Sequence, residues 1–194
     1  MTAVPRSGGA DDWETILHRL LETADVVHDN LRTGVAERLG FGWEQVHAIN
    51  PRTVHSHLTA YGSSGPLARW PGSDQTAQAL CGLEHEQGAT PAGGHPTWLR
   101  FGLTDAASGL LSVIGILQAL AERERTGVGQ RVETDILRAG MLLASDAFLG
   151  PDSLPRRGHL DREQTGLGPG CRLYETGDGW LCVVAPSDDE RAAM

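Results

Sequence analysis

Three short segments rich in strand-forming residues, ADVVHDN (24–30), TVHSHLTAYG (53–62) and GQRVETDI (129–136), each give way to a stretch of helical pattern. That alternation constrains the fold more than any other feature. Strands that alternate with helices pair in parallel, because each helix serves as the crossover that returns the chain to the same sheet edge. The expected fold class is therefore α/β: an incomplete Rossmann-like parallel sheet with flanking helices over residues 1–150. After Gly150-Pro151 the texture changes. PDSLPRRGHLDREQTGLGPG reads as a linker over 151–170, and CRLYETGDGWLCVVA as a hairpin turning at Gly177-Asp178-Gly179, the start of a small domain over 171–194.

The helical stretches carry their own punctuation. Trp13, Ile16, Leu17, Leu20 and Leu21 form an apolar stripe, with Asp11 and Glu14 spaced like a capping box. VAERLGF and WEQVHAIN read as helical turns stopped at Asn50-Pro51. SDQTAQALCGLEHEQG reads as one helix capped by Ser73 or Asp74, GATPAGGHPTW as a loop, and LRAGMLLASDAFLG as the helix after the third strand. In parallel sheets ligands collect at the carboxyl ends of strands, where NLRTG, YGSSGP and GLTD are expected to be strand-to-helix loops.

Composition excludes several functions. The chain is acidic, with a formal net charge of -9 over 194 residues, and has no basic run of the kind that binds nucleic acid. It contains no lysine, which removes a Walker-type phosphate loop and a lysine Schiff base. An anionic ligand would have to be met by arginine, backbone amides or helix ends. Cys81, Cys171 and Cys182 are odd in number and too far apart for a zinc knuckle or redox pair, which fits a reduced, cytoplasmic setting. The N-terminus lacks a secretory or transit pattern, and the apolar stretch from Gly109 to Ala121 is too short to span a bilayer, so no membrane partner is expected.

Asp105 is the carboxylate with the most unusual setting, immediately before a long, almost uncharged helical run in FGLTDAASGLLSVIGILQAL. Aspartate is a preferred N-cap, so a structural role accounts for it on spacing alone. A carboxylate kept ionised by a helix N-terminus is equally the nucleophile of an acyl-transfer reaction. His55 and His57 alternate on one strand face with no third ligand in view, so they are expected as solvent-side histidines and no metal site is expected.

Taken together and in this order, ADVVHDNLRTGVAERLGFGWEQVHAINPR, AYGSSGP and GLTDAASGLLSVIGILQALAERERTGVGQRV resemble the family III CoA-transferases, which include formyl-CoA and carnitine CoA-transferases and the methylacyl-CoA racemases. The resemblance runs from about Ala24 to Leu149 and continues more loosely to the end. It implies that Asp105 attacks an acyl-CoA thioester to give an acyl-aspartyl anhydride, which CoA opens to an aspartyl-CoA thioester that the acceptor acid resolves. Acyl-CoA and a carboxylic acid would then be the substrates, with no metal. Carried over residue by residue, Asn30 and Leu31 match the family's CoA-contacting Asn-Phe pair, Arg38 a nucleotide-contacting basic residue, and Gly62 and Gly65 the glycine-rich loop near the acyl group. Without the family context, Arg38 reads equally as a surface helix arginine.

The chain also departs from the family pattern. DNLRTG stands for Glu-Asn-Phe-Arg-Pro-Gly, so Leu31 cannot stack on an adenine as an aromatic ring would, and Thr33 loosens the turn. Arg138 stands where the family commonly has Asp. The racemases' catalytic histidine falls at Ser73 or Gly72, which argues for transfer over racemisation. The resemblance further implies that family members are about twice as long, open with a βαβ unit that this chain lacks, and form an interlocked dimer. A homo-oligomer or a separately encoded complementary half is therefore expected. An inert remnant or assembly module of the same fold is the competing reading.

Overall fold

The computed structural model describes residues 10–145, 158–185 and 187–193, the side chains of 10–12 excepted. The described elements run α1 (Ala10–Leu21), β1 (Val26–Asp29), α2 (Val35–Arg38), α3 (Trp43–Ile49), β2 (Val54–Thr59), α4 (Asp74–Leu80), α5 (Leu83–Gln87), a 3-10 turn (Thr90–Ala92), α6 (Leu103–Thr126), β3 (Arg131–Asp135), α7 (Ile136–Leu143), β4 (Gly166–Gly168), β5 (Cys171–Thr176), β6 (Gly179–Val184) and α8 (Asp188–Ala192). They fall into two compact units, Met1–Ser73 with Thr104–Ala139, and Asp74–Leu103 with Gly140–Met194. The boundary expected at Gly150-Pro151 and the first part of the expected linker lie outside the described residues.

The first unit is a parallel sheet in the order β1-β2-β3, with His28 opposite Ser56 and Ser56 opposite Val132. The alternation of strands and helices is thus realised as an α/β fold. Central β2 is buried along almost its whole length, whereas β1, expected as a buried strand, is an edge strand with His28 exposed. Side-chain alternation divides the sheet into two faces. Val26, His28, Val54, Ser56, Leu58, Val132 and Thr134 share one face; Asp29, His55, His57, Thr59, Arg131, Glu133 and Asp135 share the other.

Helix α6 lies on the first face in an orientation its composition did not foretell. Expected as a buried apolar helix, it turns Thr104, Ser108, Ser112, Ala119 and Arg123 inward and leaves Leu110, Val113, Ile114 and Leu117 exposed. Small inward residues let it sit close to the sheet: Ser112 Oγ bonds Thr134 Oγ1, and a Cβ at Gly115 would come within 2.7 Å of Val132 Cγ1. Arg123 anchors its far end, pairing with Asp25 at 2.9 Å and donating to the Arg52 carbonyl at 3.2 Å. By length and composition α6 is also long and apolar enough to cross a membrane, more than the Gly109–Ala121 stretch alone suggests.

Elsewhere Asn50 ends α3 in extended geometry ahead of Pro51. Its amide donates to the carbonyls of Leu21, Glu22 and Ala24, satisfying the orphan acceptors at the end of α1. Asp11 lies inside α1 rather than at its cap. In the second unit, the single helix expected over 73–88 is two, α4 and α5, broken at Gly82, whose φ of +77° is left-handed. The hairpin β5–β6 forms with Thr176 opposite Gly179, so Gly177-Asp178 make the turn. Gly166–Gly168, in the stretch read as linker, add β4 to it as a third strand.

Candidate active site

A cavity of about 480 Å3 opens at the carboxyl ends of all three parallel strands and lies wholly within the first unit. Asn30, Leu31, Arg32 and Thr33 enter it after β1, Leu58 to Tyr61 from the end of β2, and Ile136 after β3. Asp105 and Ser108 enter it from α6, and Trp70, Gly72 and Ser73 from the loop before α4. No strand precedes Asp105: α6 begins at Leu103, so the carboxylate sits exposed within the first helical turn rather than ahead of it, and GLTD is not a strand-to-helix loop. The position still lies in the first turn of α6, at the positive end of the helix dipole.

The loop carrying Asn30 and Leu31 is held from beneath. Asp29 is 7 % exposed, and its Oδ1 accepts from Leu31 N at 3.0 Å and from His57 Nδ1 at 2.8 Å. His55, 2 % exposed, approaches the other carboxylate oxygen at 3.8 Å while its Nε2 donates to the Phe41 carbonyl at 3.1 Å. The expectation of solvent-side histidines at 55 and 57 is therefore wrong. Neither edge of β2 is free, and their face is closed by the segment holding Phe41 and Trp43. Burial pushes the Asp29 carboxyl up, but the His57 bond, the Leu31 amide and the two imidazoles outweigh it and hold Asp29 below the usual carboxylate range. Burial pushes His55 down, only partly offset by Asp29 and the Phe41 carbonyl. Among the described residues no group of three or more His, Cys, Asp or Glu is arranged to hold a metal ion.

Gly62 and Gly65 do not line the cavity. Both adopt left-handed backbone, at φ +85° and +95°, in a loop pinned to β3. Gly62 N donates to Thr59 Oγ1 at 2.8 Å, and Ser63 N to Glu133 Oε1 at 2.7 Å. Burial raises the Glu133 carboxyl, yet the Ser63 bonds and Arg131 bring it below its ordinary value. Arg138, unexplained by sequence, has a clear place: its guanidinium pairs with the buried Asp135 carboxylate at 3.1 Å, while Asp135 accepts from Arg138 N at 2.7 Å. Burial leaves Asp135 above the usual range despite that pairing.

Arg38 is not brought to the cavity; it lines a separate hollow of about 330 Å3 with Trp13, Leu17 and Gln45. Sequence reasoning missed His28, which lines the cavity beside Asn30 and Asp105. Its signal was the alternation in β1, which puts His28 on the face opposite Asp29.

The family model described as CoA-transferase family III matches residues 10–194. The chain is 34% identical over 179 residues to an acyl-CoA transferase of Fusarium pseudograminearum, covering 90% of this chain and 38% of that protein. It is 34% identical over 137 residues to the acetyl-CoA:oxalate CoA-transferase of Acetobacter aceti, covering 69% of this chain and 34% of that one. The crystal structure of Rv3272 from Mycobacterium tuberculosis superposes with a TM-score of 0.78 at 29% identity, covering 95% of this chain and 48% of the other. The chain thus spans less than half the length of these relatives. The match of that family model along residues 10–194 shows that the chain belongs to CoA-transferase family III.

Proposed function

We propose that this chain carries the reacting aspartate of a CoA-transferase that moves CoA from an acyl-CoA to a carboxylic acid. The observation that carries the reading is the meeting of Asn30, Leu31 and Asp105 in one cavity at the carboxyl ends of the sheet. The Asp105 carboxylate attacks the thioester carbonyl, the C–S bond breaks and its electron pair leaves on sulfur. The freed CoA sulfur then attacks the aspartyl carbonyl of the anhydride, releasing the donor's acid and leaving an aspartyl-CoA thioester. The acceptor carboxylate displaces CoA from that thioester, and CoA takes the new acyl group, restoring Asp105. The buried Asp29–His57 pair supports the reading by holding the Asn30–Leu31 turn in place. A cytoplasmic setting and a homo-oligomer, or a complementary chain, belong to the same proposal.

Intact-mass analysis after incubation with a panel of acyl-CoAs and hydroxylamine tests it. The expected result is a hydroxamate on the wild-type chain and none on Asp105→Asn. Equal labelling of both would sink the assignment. The position of Arg38 in a separate hollow favours a second reading, an assembly module with an incomplete nucleotide site. Saturable CoA binding by the isolated chain in calorimetry excludes that alternative.

A further inference from the structure

The three histidines on the parallel strands of the first unit differ in the chemistry of their partners. His57 is bonded to a carboxylate and His55 to a backbone carbonyl. Both partners only accept, so each imidazole must keep a proton on the bonded nitrogen. Such rings are fixed parts of the scaffold. His28 is different: its Nδ1 lies 3.1 Å from Ser56 Oγ, on the adjacent strand, and Ser56 is fully buried. A hydroxyl can donate to a bare Nδ1 or accept from a protonated one, so this contact survives a change in the ring's protonation state. His28 is exposed and lines the cavity, and because Nδ1 is occupied by Ser56, Nε2 is the nitrogen a bound ligand would meet. Of the ionisable side chains lining that cavity, His28, Arg32, Tyr61 and Asp105, imidazole is the type that exchanges a proton readily near neutral pH.

We infer that His28, oriented by Ser56, is the proton-transfer group of the Asp105 cavity, protonating the sulfur that leaves the donor thioester and recovering that proton when CoA re-enters. This rests on the reading of Asp105 as nucleophile. In the first step Asp105 Oδ bonds the acyl carbon, the C–S electron pair moves to sulfur, and imidazolium Nε2–H passes its proton there. The products are the anhydride, CoA thiol and neutral imidazole. In the return step Nε2 takes the thiol proton as sulfur attacks the aspartyl carbonyl, and the imidazolium is restored. No proton or electron is gained or lost over the cycle. One residue thereby acts as acid in one direction and base in the other.

The test compares two donors with the same acyl group: an acyl-CoA, and an aryl thioester whose thiol leaves readily without protonation. Acylation of the 194-residue chain is followed by rapid quench and intact mass for wild type, His28→Gln, Ser56→Ala and Asp105→Asn. The expected result for His28→Gln is a loss of about 100-fold with acyl-CoA and a rate near wild type with the aryl thioester. Ser56→Ala should lose part of the acyl-CoA rate and none with the aryl donor. In a further variant, His28→Ala, added imidazole should restore acylation by acyl-CoA, a rescue that a structural role would not allow. Equal losses with both donors, or no loss with acyl-CoA, overturn the inference. If Asp105→Asn is acylated like wild type, the nucleophile assignment has failed instead; if wild type is labelled by neither donor, both fall together.

Discussion

At the scale of single residues, the buried Asp29–His57–His55 cluster makes the fold sensitive to acid. His55 has its folded pKa depressed below the ordinary 6.5, mainly by burial, so the unfolded chain binds its proton first. Its contribution is complete above 6.5 and is lost as pH falls below that value. Asp29, held below the ordinary 3.8, adds stability that disappears as pH falls through its folded value. Both signs point the same way: denaturant midpoints should drop on acidification from pH 7, first around histidine titration and then in the carboxylate range. His55→Gln should flatten the first drop and leave the second; a midpoint independent of pH between 7 and 5 would contradict this. Asp29→Ala removes one partner of a buried pair and should cost about 3–5 kcal/mol in equilibrium unfolding. Only part of the cluster was legible in sequence. Alternation put His55 and His57 on one face, but in a parallel sheet both faces are covered, so period two does not say which face meets water.

At the scale of elements, α6 illustrates where pattern reading stops. Its length and helical type follow from composition, and the placement of Asp105 near its start was recognisable. The inward face was not, because the usual assumption sends the apolar stripe to the core. Here close approach to the sheet selects Ser108, Ser112, Gly115 and Ala119 instead, and leaves Leu110, Val113, Ile114 and Leu117 outside. Two glycines of the same helix test this. Beyond its own turns of helix, Gly109 has no atom within 4 Å of where a Cβ would stand, so Gly109→Ala should stabilise by about 1 kcal/mol through helix propensity. At Gly115 the same change drives a methyl against stiff Val132, and overpacking of about 1–3 kcal/mol offsets or exceeds that gain. Thermal and urea unfolding should therefore rank Gly109→Ala above Gly115→Ala by roughly that overpacking cost. Equal gains at both sites would mean that α6 does not sit as close to β3 as described. The break between α4 and α5 shows the complementary case, since Cys81-Gly82 interrupts a continuous helical pattern through one left-handed residue.

At the scale of the whole molecule, the order of elements was the most legible property, because three strand-to-helix alternations leave little besides a parallel sheet. What that order could not convey is how much apolar surface the chain keeps uncovered. The outer stripe of α6 is one such surface, with Leu110 and Leu117 each at least 60% exposed. The β4–β5–β6 sheet is another, showing Leu173, Trp180, Leu181 and Val184 to solvent. Contiguous exposed apolar patches mark surfaces that associate. The net charge of -9 opposes that association, but charge at the rim is screened within about 8–10 Å at physiological salt, whereas apolar burial is not. The chain should therefore self-associate with a weak dependence on salt. Val113→Glu with Leu117→Glu, which change only the outward face of α6, should shift sedimentation velocity toward the monomer while leaving the thermal midpoint of monomer unfolding unchanged. A wild-type chain that sediments as a monomer at every concentration, or a double variant that associates as strongly as wild type, would remove the outer face of α6 as the contact.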